Sequence, residues 1–147
     1  PGKVALFLEN PDAGADFGTQ EGDTVGVCVT SRDNGKSFFY IPGCAGIPPD
    51  LADRLQGAPL VLFDGTLWHD SEMIDAGIGV KTGTRMGHIS MSGDDGSIAA
   101  FRDLDVGRKV FIHINNSNPV LLEETPERRQ AEEAGWEISF DGMEISL

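Results

Sequence analysis

Apolar positions in this chain fall into short β-branched and aromatic runs, which polar and glycine-containing stretches separate. Runs of this length, bordered by turn residues, are typical of strands. Strands are therefore predicted over residues 3–9, 23–30, 37–41, 60–63 and 109–114. The Asn34-Gly35 pair predicts a hairpin between the second and third strands, because both residues tolerate the positive φ of a tight turn.

The helical segments are short and are marked mainly by their ends. A helix is predicted over residues 49–55, which begin with Pro and Asp and are followed by Gly57. A second helix is predicted over residues 126–134, with Thr125 as its N-cap and Pro at its first position. Briefer helical turns are predicted over residues 71–76 and 97–103.

Two glycine-containing segments complete the pattern. Residues 77–96 are rich in glycine and predict a long loop, and a loop of that length inside a compact domain is usually functional. Residues 136–140 and 143–147 predict a hairpin around Asp141-Gly142. The sequence has no internal repeat and no linker, so the whole pattern predicts a single α/β unit with a mixed sheet.

Composition narrows the functional classes. The 147 residues carry a net charge of −13. Binding to nucleic acid or to an anionic membrane needs clustered Lys and Arg, and the chain has only 11 of them, so neither partner is expected. The sequence contains no apolar run of membrane-spanning length and no signal-peptide pattern, which favours the cytoplasm. Cys28 and Cys44 are expected to be free, buried thiols.

Three side chains fall where predicted strands meet loops. Asp64 follows the apolar run 60–63, His113 lies near the end of the run 109–114, and His88 lies in the glycine-rich loop. Strand ends converge on one edge in α/β layers, so the three are candidates for one site. An Asp beside a His orients the imidazole and fixes its tautomer, which would leave His113 to bind a metal.

Each of these residues also has a purely structural interpretation. Asp64 suits a strand-ending turn in which its carboxylate caps the following amides. His88 suits a solvated loop, and His113 suits a core histidine bonded to a carbonyl. His69 lies in a polar turn and is expected at the surface. Two histidines and one Asp are too few to define a complete metal site.

Five segments, taken in order, match the pattern of a known family. They are YIPGCAG (40–46), LFDGTLWHDSEMI (62–74), GTRMGHISMSG (83–93), FIHINNSNP (111–119) and AGWEISFDGMEI (134–145). In them the chain resembles the pyrroloquinoline quinone biosynthesis protein B family of the metallo-β-lactamase superfamily. The resemblance implies an αββα sandwich. The family's DxDH metal segment and cysteine-rich zinc site have no match here, so residues 1–147 are expected to be the C-terminal half of one such domain, a mixed sheet flanked by helices.

The resemblance also implies roles for the candidate residues. In a related branch of the superfamily a strand-end acid pairs with a later histidine, and another strand end supplies a metal-binding histidine. Asp64 and His88 take the first two roles as catalytic residues, and His113 takes the third as a metal ligand. Residues 40–44 stand where that branch has an Asp that bridges two metals, and they contain no carboxylate. A mononuclear site is therefore expected, which suits non-haem Fe(II) with O2, although Zn or Mg can occupy such a site.

The implied function is hydroxylation of a tyrosine ring, with O2 as co-substrate, during biosynthesis of pyrroloquinoline quinone. The substrate would be a small, peptide-derived Glu–Tyr diamino acid, and Trp68 and the glycine-rich loop are candidate pocket walls. Two alternatives stay open: a metal-dependent hydrolase of the same superfamily, and a non-catalytic carrier that binds the finished quinone or assists its export. The N-terminal half of the same protein is an expected partner, and the resemblance allows a homodimer.

Overall fold

The computed structural model describes residue 22 and residues 24–147, which form one five-stranded mixed sheet. Its strands, in spatial and chain order, are β1 (Val27–Thr30), β2 (Ser37–Ile41), β3 (Leu60–Asp64), β4 (Arg108–Ile112) and β5 (Trp136–Ile138). The first two strands are antiparallel and form the hairpin expected around Asn34-Gly35. The other neighbouring pairs are parallel, so β2 to β5 all end at the same edge of the sheet.

Short helices occupy the connections between the parallel strands. They are α1 (Pro49–Leu55), α2 (Glu72–Asp75), α3 (Gly83–Met86), α4 (Ser97–Ala100) and α5 (Pro126–Glu133), with a 3-10 helix at Pro119–Leu121. Thr125 caps α5 as expected, because its side chain accepts a hydrogen bond from the amide of Arg128. In the described part of the chain, none of these helices has the length and apolar character that crossing a membrane requires.

An aromatic cluster joins the sheet to the helical side of the molecule. Phe63 from β3 packs edge-on against Phe101, with ring centroids 4.9 Å apart. Phe111 from β4 stacks on Trp136 from β5, with ring centroids 3.8 Å apart. Paired aromatic rings add specific contact energy to the burial of their large apolar surfaces. The cluster therefore holds β3 and β4 in place close to their C-terminal ends, where both strands reach the edge of the sheet.

The opposite face of the sheet is only partly covered. Val27 and Tyr40 are opposite each other in the β1–β2 register, and both are exposed, as is Val29. A partly exposed apolar face is compatible with the expected half sandwich. The N-terminal half that would cover this face stays a prediction.

Most elements follow the sequence pattern, and the exceptions are one additional helix and one strand that does not form. β2 and α1 have the predicted bounds. The 77–96 loop contains the unpredicted helix α3, which Thr82 caps at its start. The predicted C-terminal hairpin is wrong: β5 ends at Ile138, and residues 143–147 form no strand. The strand predicted over 3–9 lies outside the described residues.

Candidate functional site

The site begins where β3 and β4 end side by side. Asp64 is the last residue of β3 and is opposite Ile112 in the register. The amide of Gly65 then donates to the carbonyl of Ile112 at 2.8 Å. A Cβ at Gly65 would lie 2.9 Å from the Cβ of Phe111, so the close approach of the two strand ends needs glycine there.

The carboxylate of Asp64 is fully buried and accepts four hydrogen bonds. Oδ2 accepts from the Cys44 amide at 2.9 Å and lies 2.7 Å from Nδ1 of His88. Oδ1 accepts from the Thr66 amide at 3.1 Å and from the Thr66 hydroxyl at 2.6 Å. Four donors match the acceptor capacity of one carboxylate. Asp64 therefore caps the following turn and holds His88 at the same time, while its expected catalytic role stays a prediction.

His88 is buried, so its interpretation as a solvated loop residue is wrong. The helix α3 ends at Met86 and is capped by Gly87, whose φ of 86° turns the chain, and the His88 amide donates to the carbonyl of Gly83 at 2.9 Å. Since the Asp64 carboxylate acts as an acceptor, we infer that Nδ1 of His88 carries the ring proton. Nε2 then carries the lone pair, the form in which an imidazole accepts a proton or binds a metal.

His113 follows β4 directly, and its backbone leaves the sheet in a left-handed conformation with a φ of 54°. The residue is exposed, so its interpretation as a core histidine is wrong. Its ring stacks beside that of His88, with centroids 5.5 Å apart and planes 20° apart. The structure thus brings all three candidate residues together, with two imidazoles next to each other and one of them open to solvent.

Buried polar groups fix the loops on either side of these residues. The carboxylate of Glu72 accepts from the Trp68 amide and from the Ser117 hydroxyl, both at 2.6 Å. The side-chain amide of Asn118 donates to the carbonyl of Gly65 at 3.0 Å. These contacts tie the loop after His113 to the loop after β3. Sequence reasoning did not find them, because no local pattern connects residues that lie so far apart in the chain.

The substrate-pocket walls expected from Trp68 and the glycine-rich loop stay a prediction, because Asp64, His88 and His113 are not among the residues that line the cavity beside that loop. A cavity of about 650 Å³ is lined by residues that include Gly46, Ser90 and Asp94, so the glycine-rich loop contributes to it. Trp68 instead packs into the hydrophobic core. His69 is exposed, as expected.

The two cysteines differ from each other. Cys44 is buried and free, as expected, and burial raises the pKa of its thiol. Cys28 is free but exposed, so its predicted burial is wrong. The contribution of Cys44 to the site is its backbone, because its amide donates to Asp64 and its carbonyl accepts from the Ile89 amide at 2.6 Å.

The donor set suits a metal but is incomplete within the part of the chain that the structure describes. Those residues contain no group of three or more His, Cys, Asp or Glu side chains placed to hold a metal ion. His88 and His113 offer two imidazoles, which are ligands that iron and zinc both accept. The full ligand set stays a prediction.

Comparison with known proteins identifies the superfamily. The model of the β-lactamase superfamily domain matches residues 5–114. The chain belongs to this superfamily. It is 54% identical over 148 residues to coenzyme PQQ synthesis protein B of Rhodopseudomonas palustris strain TIE-1, covering 100% of this chain and 47% of that protein. The protein of the same name from Gluconacetobacter diazotrophicus is 57% identical over 147 residues, covering 99% of this chain and 47% of the relative.

Solved structures agree with this assignment. A zinc-bound PqqB from Methylobacterium extorquens matches with a TM-score of 0.81 and 51% identity, covering 84% of this chain and 44% of that one. A diphosphatase from the PhnP family, at 18% identity and a TM-score of 0.51, shares the fold alone. The family resemblance and the predicted fold, a β-lactamase-like mixed sheet with flanking helices, are confirmed. The chain spans about half the length of the curated relatives it matches.

Proposed function

We propose that this chain is part of an enzyme of pyrroloquinoline quinone biosynthesis, a mononuclear non-haem iron hydroxylase that uses O2. The single observation that carries the proposal is the buried Asp64–His88 pair stacked beside the exposed His113. The similarity to proteins named for PQQ synthesis supports the pathway. The substrate class, a tyrosine ring in a peptide-derived Glu–Tyr diamino acid, comes from the family resemblance.

The two histidines would have different tasks. His113, which is open to solvent, would hold the metal ion, and Fe(II) bound there would supply activation of O2. His88 would accept a proton from the substrate at Nε2, because Asp64 occupies Nδ1 and stabilises the imidazolium that forms. His113 leaves β4 with a left-handed backbone, at a φ of 54°, and its ring stacks beside that of His88.

Metal identity separates this proposal from the hydrolase alternative. Zinc has no redox chemistry, so a zinc enzyme cannot activate O2 and would polarise a bond for attack by water. The Cys44 segment contains no carboxylate that could bridge two metals, which favours a single ion. The zinc-bound relative shows that a protein of this family binds a divalent metal.

The test uses the full-length gene product that contains this chain. It is loaded anaerobically with Fe(II) and given the Glu–Tyr diamino acid, O2 is admitted, and oxygen added to the ring is measured by mass spectrometry. We expect incorporation in the parent protein and its loss in His113→Ala, together with loss of bound iron. His69→Ala is the matched control, because it removes an exposed histidine that lies outside the site.

Three outcomes would contradict the proposal. Retained iron in His113→Ala would remove His113 from the ligand set. Turnover of a hydrolysable substrate without O2 would favour the hydrolase. Tight binding of the finished quinone without any turnover would favour the carrier.

A further inference from the structure

One hydroxyl contacts all three candidate residues. Thr66 is 8% exposed, and its Oγ1 lies 2.6 Å from Oδ1 of Asp64, 3.0 Å from Nδ1 of His88 and 3.1 Å from the carbonyl oxygen of His113. We propose that Thr66 is a positioning residue that fixes the His88 ring relative to the His113 backbone. The inference rests on the roles proposed for the two histidines and adds the residue that couples them.

The donors and acceptors around Oγ1 of Thr66 show why a hydroxyl is needed at this position. A hydroxyl has one proton to donate and two lone pairs that accept. Both Asp64 and the carbonyl of His113 are acceptors, while Nδ1–H of His88 is a donor. A hydroxyl at Thr66 can therefore accept from the ring while it donates to the carboxylate or to the carbonyl. A methyl group at the same place can do neither.

The backbone at His113 gives Thr66 a second function. A residue with a side chain adopts a φ of 54° only where the surrounding contacts hold it there. Three contacts surround this turn: the Thr66 hydroxyl reaches the carbonyl of His113, the Asn115 amide donates to the carbonyl of Thr66 at 3.0 Å, and the Gly65 amide donates to Ile112. Thr66 therefore contacts His113 itself and the residues that follow it, while Gly65 holds the residue before it.

The expected consequence concerns geometry rather than folding. Without the hydroxyl, Nδ1–H of His88 keeps only one acceptor, and Asp64 and the carbonyl of His113 lose the one hydroxyl proton within reach of both. Residues that orient metal ligands typically change metal affinity by 10-fold or more when they are removed. We therefore expect Thr66→Val to weaken Zn(II) binding by about 10-fold, with Thr66→Ser close to the parent.

The test compares three variants of the full-length gene product. Thr66→Val removes the hydroxyl at nearly constant volume, and Thr66→Ser keeps it. Thr125→Val is the matched control, because the Thr125 hydroxyl bonds the carbonyls of Pro119 and Leu122 and caps α5. Two quantities are measured: the imidazole nitrogen and proton NMR signals of the metal-free protein, and the dissociation constant of Zn(II).

Thr66→Val is expected to shift the signals of both His88 and His113 and to speed exchange of the His88 Nδ1 proton. Thr66→Ser should restore them, and Thr125→Val should leave them unchanged. If Thr66→Val does not fold, Thr66→Ala replaces it. Unchanged histidine signals and Zn(II) affinity, or failure of Thr66→Ser to restore them, would overturn the inference. The NMR measurement needs no iron, O2 or substrate, so failure of the hydroxylase proposal would leave this result standing.

Discussion

Among the acid–base pairs of the described residues, Asp64–His88 and Arg108–Glu137 lie at opposite ends of the parallel strands. Asp64 and His88 lie at the end of β3, with 0% and 8% of their side-chain surfaces exposed. Arg108, at the start of β4, binds Glu137 with 36% and 40% exposed. The contact distances are similar, 2.7 Å between Asp64 and His88 and 2.5 Å between Arg108 and Glu137. The two pairs therefore differ in burial and not in contact distance: Asp64–His88 lies in the interior, and Arg108–Glu137 lies at the surface.

The partners around each pair show what burial requires. Asp64 needs two backbone amides and a hydroxyl besides His88, because a buried carboxylate is costly unless donors surround it. Glu137 is bound by both Nε and Nη2 of Arg108, and water can reach it as well. That hydrogen bonding holds the pKa of Glu137 below its usual range. The buried pair therefore depends on distant segments, while the exposed pair depends on two facing side chains.

The sharpest test of this difference is Asp64→Asn. The asparagine side chain has the same size, but its NH2 group is a donor. It would face either the Cys44 amide and Nδ1 of His88 or the amide and hydroxyl of Thr66, all of which are donors as well. Leaving buried donors unpaired is expected to lower the free energy of unfolding by about 3 kcal/mol. The loss in the free energy of unfolding is measured by urea unfolding of the full-length gene product. Glu137→Gln is the matched control, and equal losses in the two variants would contradict the comparison.

The second test concerns the backbone that delivers the buried pair. In Gly65→Ala the new Cβ would lie 2.9 Å from the Cβ of Phe111 and 3.2 Å from the carbonyl of Ile112. Both are parts of a packed sheet, so the expected loss is about 1–3 kcal/mol. Gly46→Ala is the control, because nothing lies within 4 Å of a Cβ there. Matching urea midpoints for the two variants would show that the strand ends can separate without cost.

The difference between local contacts and contacts from distant segments also explains which elements the sequence could predict. The bodies of β2 and β3 and the helix α1 follow from runs of apolar residues, Pro49 and turn residues, all of which act locally. The C-terminal hairpin failed although its turn signal is good. The turn itself forms, since the Met143 amide donates to the carbonyl of Phe140 at 3.1 Å, but β5 ends at Ile138 and stays the edge strand of the sheet.

The sequence indicated that Asp64, His88 and His113 lie close together, but it did not indicate the geometry in which they meet. Asp64 and His113 stand at strand ends, which an apolar run reveals. The strand predicted to Ile114 stops at Ile112 because His113 turns left-handed, held in part by Thr66, 47 residues away in the chain. Thr66 follows Asp64 and Gly65 in a recognisable turn sequence, yet its contact with His88 depends on the path of the loop that carries the histidine.

The smallest expected effect is that of Glu137→Gln, and it should depend on pH. Because the folded-state pKa of Glu137 is lowered, the pair contributes stability above the unfolded-state pKa, and this contribution is lost as pH falls through the folded value. The variant should therefore unfold at slightly lower urea than the parent at neutral pH, and at the same urea in acid. Exposed pairs are also screened, so added salt should reduce the difference at neutral pH. A difference that persists in acid or resists salt would mean that this pair, like Asp64 and His88, is held by more than its two side chains.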